Sequence, residues 1–123
     1  MAALKTENQD NQWLLSDINW SKLDLTSVTP ELLAAVKTAA LVEANSGDYV
    51  IYLHNIFPND AEFKRLADIW GEEEVQHGAA LGRWAELVDP TFDFSSRVDH
   101  FRSLYQLPLN VSESVRGTNE GEL

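Results

Sequence analysis

The 123-residue chain contains no cysteine. That excludes disulfides, thiolate metal sites, iron–sulfur clusters and cysteine nucleophiles together. Basic residues are also scarce: nine Lys and Arg stand against 20 Asp and Glu, for a formal net charge of −11. A surface of that sign repels nucleic acid and anionic membranes, so neither is expected as a partner. No apolar run approaches the roughly 18 residues that a membrane span requires. The first ten residues lack the apolar core of a signal peptide. These absences predict a cytoplasmic protein.

What is present is enough for one packed domain: 44% of the residues are hydrophobic and 10% aromatic. The chain divides into three segments. Residues 1–29 read as a polar lead followed by a packing arm, because from residue 13 onward Trp13, Leu14, Leu15, Ile18, Trp20, Leu23 and Leu25 appear at irregular spacing. The arm is predicted as a short helix or an extended stretch lying on the main body. A helix start follows: Thr29 can cap, Pro30 suits the first helical position, and Glu31 favours the positive helix end.

Residues 30–90 read as an all-α antiparallel hairpin. Leu32, Leu33, Val36, Ala39, Ala40, Gly47, Val50, Ile51 and Leu53 recur at three- and four-residue spacing and predict one helix over about 30–57. Pro58-Asn59-Asp60 breaks it and caps a second helix over about 61–88. The stripe of that helix is Phe63, Leu66, Ala67, Trp70, Gly78, Leu81, Trp84 and Ala85, and Asp89-Pro90 ends it. Two long helices joined by so short a turn must fold back on each other. Residues 91–123 read as an irregular connection packed through Phe92, Phe94, Phe101, Leu104 and Tyr105. A short helix is predicted near 98–105 and extended chain over 107–116.

The chemistry sits in the middle of the stripes. Glu74 and His77 are three residues apart, hence on one helix face, and their neighbours on it are apolar. Glu43 interrupts the first stripe in the same way. Glu43 lies about fifteen residues before the turn and Glu74 about fifteen after it. At ~1.5 Å rise per residue both stand roughly 23 Å from the turn, level with each other. Two carboxylates and an imidazole in an apolar stripe are costly unless something pairs them, and together they form a ligand set for iron or manganese. The alternative is that Glu43 and Glu74 lie at the stripe edge and pair with His77, Lys37 or Arg83. Glu72 and Glu73 read as helix surface. His54 reads as a rim histidine near the turn and His100 as an exposed residue. Tyr49, Tyr52, Trp70 and Trp84 read as packing residues. Ser46, Gly47 and Gly78 either leave room beside the site or let the helices approach closely.

The segment Glu73-Glu74-Val75-Gln76-His77-Gly78 resembles the second-helix motif of ferritin-like di-iron carboxylate proteins. It is particularly similar to that of the soluble acyl-carrier-protein desaturases, with Glu43 standing where their first-helix Glu falls. The resemblance covers residues 30–90. It implies a four-helix bundle, a di-iron centre and dioxygen-dependent oxidation of iron or a small molecule. Manganese could take the same ligands. By the same resemblance Glu43 is a terminal or bridging ligand, Glu74 a bridging ligand and His77 a terminal ligand. The segment Glu113-Ser114-Val115-Arg116-Gly117 is similar to the connection into the third helix of bacterial ferritin-like proteins.

The family supplies a second Glu and a second Glu-x-x-His from helices three and four, and this chain has no second Glu-x-x-His. Either the sequence is a fragment, or two chains pair into one bundle. The short ferritin-like proteins stored in bacterial nanocompartments, which the spacing also resembles, pair in that way. A homodimer is therefore expected, with a metal-free helical interaction module or an inactive fragment as the alternatives.

Overall fold

The computed structural model describes residues 13–106, and all of their regular structure is helical. Four α-helices follow three short 3-10 turns: α1 (Pro30–Ala44), α2 (Ser46–Ile56), α3 (Ala61–Val88) and α4 (Phe94–Leu104). Sequence expectations for the lead before residue 13 and for the chain beyond 106 lie outside the described residues. No helix among the described residues is long and apolar enough to cross a membrane.

The helix starts follow from their caps. Thr29 Oγ1 accepts from the Leu32 amide at 3.0 Å ahead of Pro30, and Asp60 Oδ1 accepts from the Phe63 amide at 2.9 Å. Asp93 Oδ1 accepts from the Ser96 amide at 3.2 Å, which starts α4 at Phe94, earlier than the apolar spacing predicts. The arm at residues 13–29 is neither one helix nor fully extended. Its 3-10 turns are held locally: Asp17 accepts from the Leu14 amide, Asn19 from Ser21 and Asp24 from Thr26.

The predicted first helix is interrupted. α1 ends at Ala44, Asn45 leaves helical geometry, and α2 starts at Ser46. The Asn45 amide is shared between the Leu41 and Val42 carbonyls, and the Ser46 hydroxyl donates to the Glu43 carbonyl at 2.7 Å. The side chain thus takes an acceptor that an unbroken helix would give to a backbone amide.

α3 runs antiparallel to α1 and α2. Phe57 meets Phe63 at the turn, Gly71 faces Val50, Gly78 faces Ala40 and Ala44, and Lys37 bonds Asp89 at the far end. The contact face of α3 is built from small buried residues: Ala67, Gly71, Gly78, Gly82 and Ala85. At Gly78 a Cβ would lie 2.7 Å from the Ala44 amide nitrogen and 3.1 Å from the Ala40 carbonyl oxygen, so the two backbones touch there. α4 docks through Phe92, which is buried with Lys37 and Arg97 against its ring, and through the Phe94 ring over Gly82. Arg102 clamps Asp48 with two bonds, of 2.7 and 3.1 Å.

The core is thin. Among the described residues, Ala40, Ala67, Ala85 and Phe92 are the buried apolar side chains. Several positions read as stripe are exposed instead: Leu32, Ile51, Leu66 and Trp70. Leu104 and Tyr105, expected in the packed connection, are also exposed. One antiparallel pair plus a short helix cannot cover both edges of so wide a stripe.

Candidate metal centre

Glu43 is in the last turn of α1, two residues before Asn45 leaves helical geometry, whereas Glu74 and His77 lie one turn apart at the middle of α3. The backbone contact at Gly78 brings these segments together. His77 Nδ1 lies 3.6 Å from Glu43 Oε1 and 3.6 Å from Glu74 Oε1. One ligand atom from each of the three residues falls within 4.8 Å of the others. The level match inferred from the turn is thus a spatial convergence.

The cluster is half-open. Side-chain exposure is 21% for Glu74, 26% for Glu43 and 42% for His77. Burial pushes the Glu43 carboxyl above its usual range, and the hydrogen bond and negative charge of Glu74 push the same way. His77 offsets part of this. Two carboxylates with ligand atoms within 4.8 Å of each other, and an imidazole facing both, are a site where a bound cation would relieve the crowding of negative charge. The donor set, two oxygens and one nitrogen from three residues, suits iron or manganese. It is also half of what a bundle di-metal site uses.

Other residues fall where the sequence leaves alternatives. Lys37 does not reach the cluster, because it bonds Asp89 Oδ2 at 2.7 Å. Its ammonium, with the hydroxyl and amide of Thr91, lowers the Asp89 carboxyl to about 2. His54 is half-buried with Nε2 2.8 Å from Asp68 Oδ1, close but not aligned as a hydrogen bond. His100 is exposed, on α4 rather than in irregular chain. Tyr49 packs edge-on to Tyr52 and to Trp70. Gly78 serves close packing rather than an open space, whereas a Cβ on Gly47 would meet nothing within 4 Å.

One neighbour of the cluster is not legible from spacing. The Trp13 ring stacks on the His77 imidazole, with centroids 6.0 Å apart and planes 11° from parallel. The Gln76 side-chain amide donates to the Trp13 carbonyl at 2.7 Å and pins the arm there. The irregular aromatic spacing of the arm marks it as a packing segment, but no pattern names its target.

Compared with protein-family models, curated proteins and solved structures, the chain matches none. The functional reading therefore rests on the cluster itself.

Proposed function

We propose that this chain supplies one half of a ferritin-like carboxylate metal centre, a di-iron or manganese–iron site completed by a second copy of the chain. In that reading it is an oxidoreductase or ferroxidase-like protein that uses dioxygen to oxidise iron or a small organic molecule. The observation that carries the proposal is the convergence of Glu43, Glu74 and His77, with ligand atoms within 4.8 Å of one another. A twofold pairing would join two such triads and reach the ligand count of a bundle di-metal site. The thin core supports pairing as well: Leu66, Trp70 and Tyr49, at 50%, 40% and 46% exposure, leave apolar surface uncovered. Bound iron would supply one-electron redox chemistry toward dioxygen. The chain's own part is to hold the cations between the Glu43 and Glu74 carboxylates and to add the His77 imidazole as the nitrogen ligand.

The test combines oligomeric state and metal content in one sample. The full chain is loaded with Fe(II) without oxygen, weighed by sedimentation and assayed for bound iron, then exposed to air while ferric absorbance is followed. Paired chains with two irons per pair, lost in Glu74→Ala and His77→Ala, are expected. Variants that bind and oxidise iron like the parent would sink the assignment.

A metal-free interaction module is the second reading, and one observation favours it. His77 Nδ1 stands 3.6 Å from both Glu43 Oε1 and Glu74 Oε1, so the imidazole faces both carboxylates without any cation. A melting temperature unmoved by Fe(II) or Mn(II) would select that reading.

A further inference from the structure

We propose that Trp13 is a positioning residue for the metal cluster: its indole, laid flat on the His77 imidazole, holds the ring with Nδ1 toward the two carboxylates. The inference rests on the metal-site reading above and deepens it.

An imidazole on a helix has a free choice of ring orientation unless something fixes it. Ligating histidines are commonly oriented by a hydrogen bond from the other ring nitrogen. At His77 the contact that fixes the ring is a stack. The indole lies 11° from coplanar with the imidazole at 6.0 Å between centroids, while Nδ1 stands 3.6 Å from both Glu43 and Glu74. Stacking uses the ring face and leaves the Nδ1 edge free for a ligand, so the two roles do not compete. The stack is itself held in place. Gln76, next to His77 in sequence, donates to the Trp13 carbonyl at 2.7 Å, and Asp17 accepts from the Leu14 amide at 2.8 Å to shape the turn that presents Trp13. The hydrogen bond from Gln76 joins residues 63 positions apart, so it ties the start of the described chain to the middle of α3. Since His77 remains 42% exposed, the arm orients the ring without sealing the cluster.

The experiment uses the full chain and Co(II), whose visible spectrum reports coordination. Parent, Trp13→Phe, Trp13→Ala and Gln76→Ala are titrated with Co(II), and each metal-free protein is melted. Proton NMR of the His77 ring in metal-free protein reads the stack through its ring-current shift. Loss of an outer partner of a ligating histidine weakens metal binding by about 10- to 100-fold. The expected result is a roughly tenfold weaker Co(II) affinity and an altered spectrum in Trp13→Ala, near-parental behaviour in Trp13→Phe, and a smaller loss in Gln76→Ala. The His77 ring protons should lose their shift in Trp13→Ala. If Trp13→Ala folds and binds Co(II) like the parent, the positioning role is wrong and the metal site stands. If Trp13→Phe loses as much as Trp13→Ala, an aromatic stack is not what positions the ring. If the parent takes up no Co(II), the metal-site reading fails and this inference falls with it.

Discussion

Replacing Gly78 by alanine tests the contact that creates the cluster. The added Cβ would sit 2.7 Å from the Ala44 nitrogen, 3.0 Å from its Cα and 3.1 Å from the Ala40 carbonyl oxygen. All three atoms are backbone, so no side chain can rotate away and α1 must move off α3. Overpacking of this kind costs about 1–3 kcal/mol, and backbone neighbours put it toward the upper end. Alanine regains up to ~1 kcal/mol of helix propensity, leaving a net loss of about 2 kcal/mol. At roughly 4 °C per kcal/mol for a chain of this size, the melting temperature should fall by about 8 °C. Gly47→Ala is the control, because its Cβ meets nothing within 4 Å. It should leave stability unchanged or raise it by up to ~1 kcal/mol. Both variants are read by circular-dichroism melts without metal. Ala44 adjoins Glu43, so Gly78→Ala should also weaken Fe(II) or Co(II) uptake while Gly47→Ala does not. A Gly78→Ala protein that melts at or above the parent temperature would refute the close approach of α1 and α3.

The remaining predictions concern charge and association. Glu74→Gln removes the negative charge beside the raised Glu43 carboxyl, so the metal-free protein should be more stable at pH 8 and lose metal uptake, as read by melts with and without Mn(II). In the parent, the raised Glu43 carboxyl contributes stability that is present below pH 4.5 and lost as pH rises, so a metal-free pH series should show a decline on that side that is smaller in Glu74→Gln, where the burial of Glu43 remains. Asp89, lowered from 3.8 to about 2, acts in the opposite sense: its contribution is present above pH 3.8 and lost toward pH 2, and Lys37→Met should blunt that acid loss. Trp70→Arg places a charge on a face 40% exposed in the single chain; it should cost about 1 kcal/mol in folding through the lost edge contact with Tyr49 yet abolish pairing in sedimentation, and pairing that persists would put the interface elsewhere.

Local chemistry carried much of this architecture in the sequence. Thr29-Pro30, Asp60 and Asp89 are short-range signals, and each marks a helix end in the structure. The level placement of Glu43 and Glu74 needs the position of one turn and the rise of a helix, so it too could be read in advance. The break at Asn45 was masked because apolar spacing continues across it, from Ala40 to Gly47 and Val50. The signal lay in composition, since Asn45-Ser46-Gly47-Asp48 is a turn-like run and Ser46 bonds back to the Glu43 carbonyl. Exposure of Leu66 and Trp70 could not be read, because periodicity counts apolar positions without saying which edge of a wide stripe the same chain covers. Trp13 over His77 is a contact of long sequence separation between an irregular arm and a helix, and neither periodicity nor capping encodes such a pairing.

The cost of the arrangement bears on what it is for. Gly71, Gly78 and Gly82 all sit inside α3, where each glycine costs about 1 kcal/mol of helix propensity relative to alanine. Gly71 makes room for Val50 and Gly82 for the Phe94 ring, so those two are offset by packing. Gly78 makes room only for backbone, at Ala40 and Ala44, and what that approach secures is the meeting of Glu43 with Glu74 and His77. That meeting adds a second unfavourable term, since it presses two carboxylates together and holds one of them above its usual range. A hairpin shaped for stability alone would avoid both. Sequences tend to break local rules at functional sites, where a ligand supplies the compensation. A divalent cation is the ligand that would reverse the carboxylate term, and its effect is measurable: the same metal should raise the melting temperature of the parent more than that of Glu74→Gln.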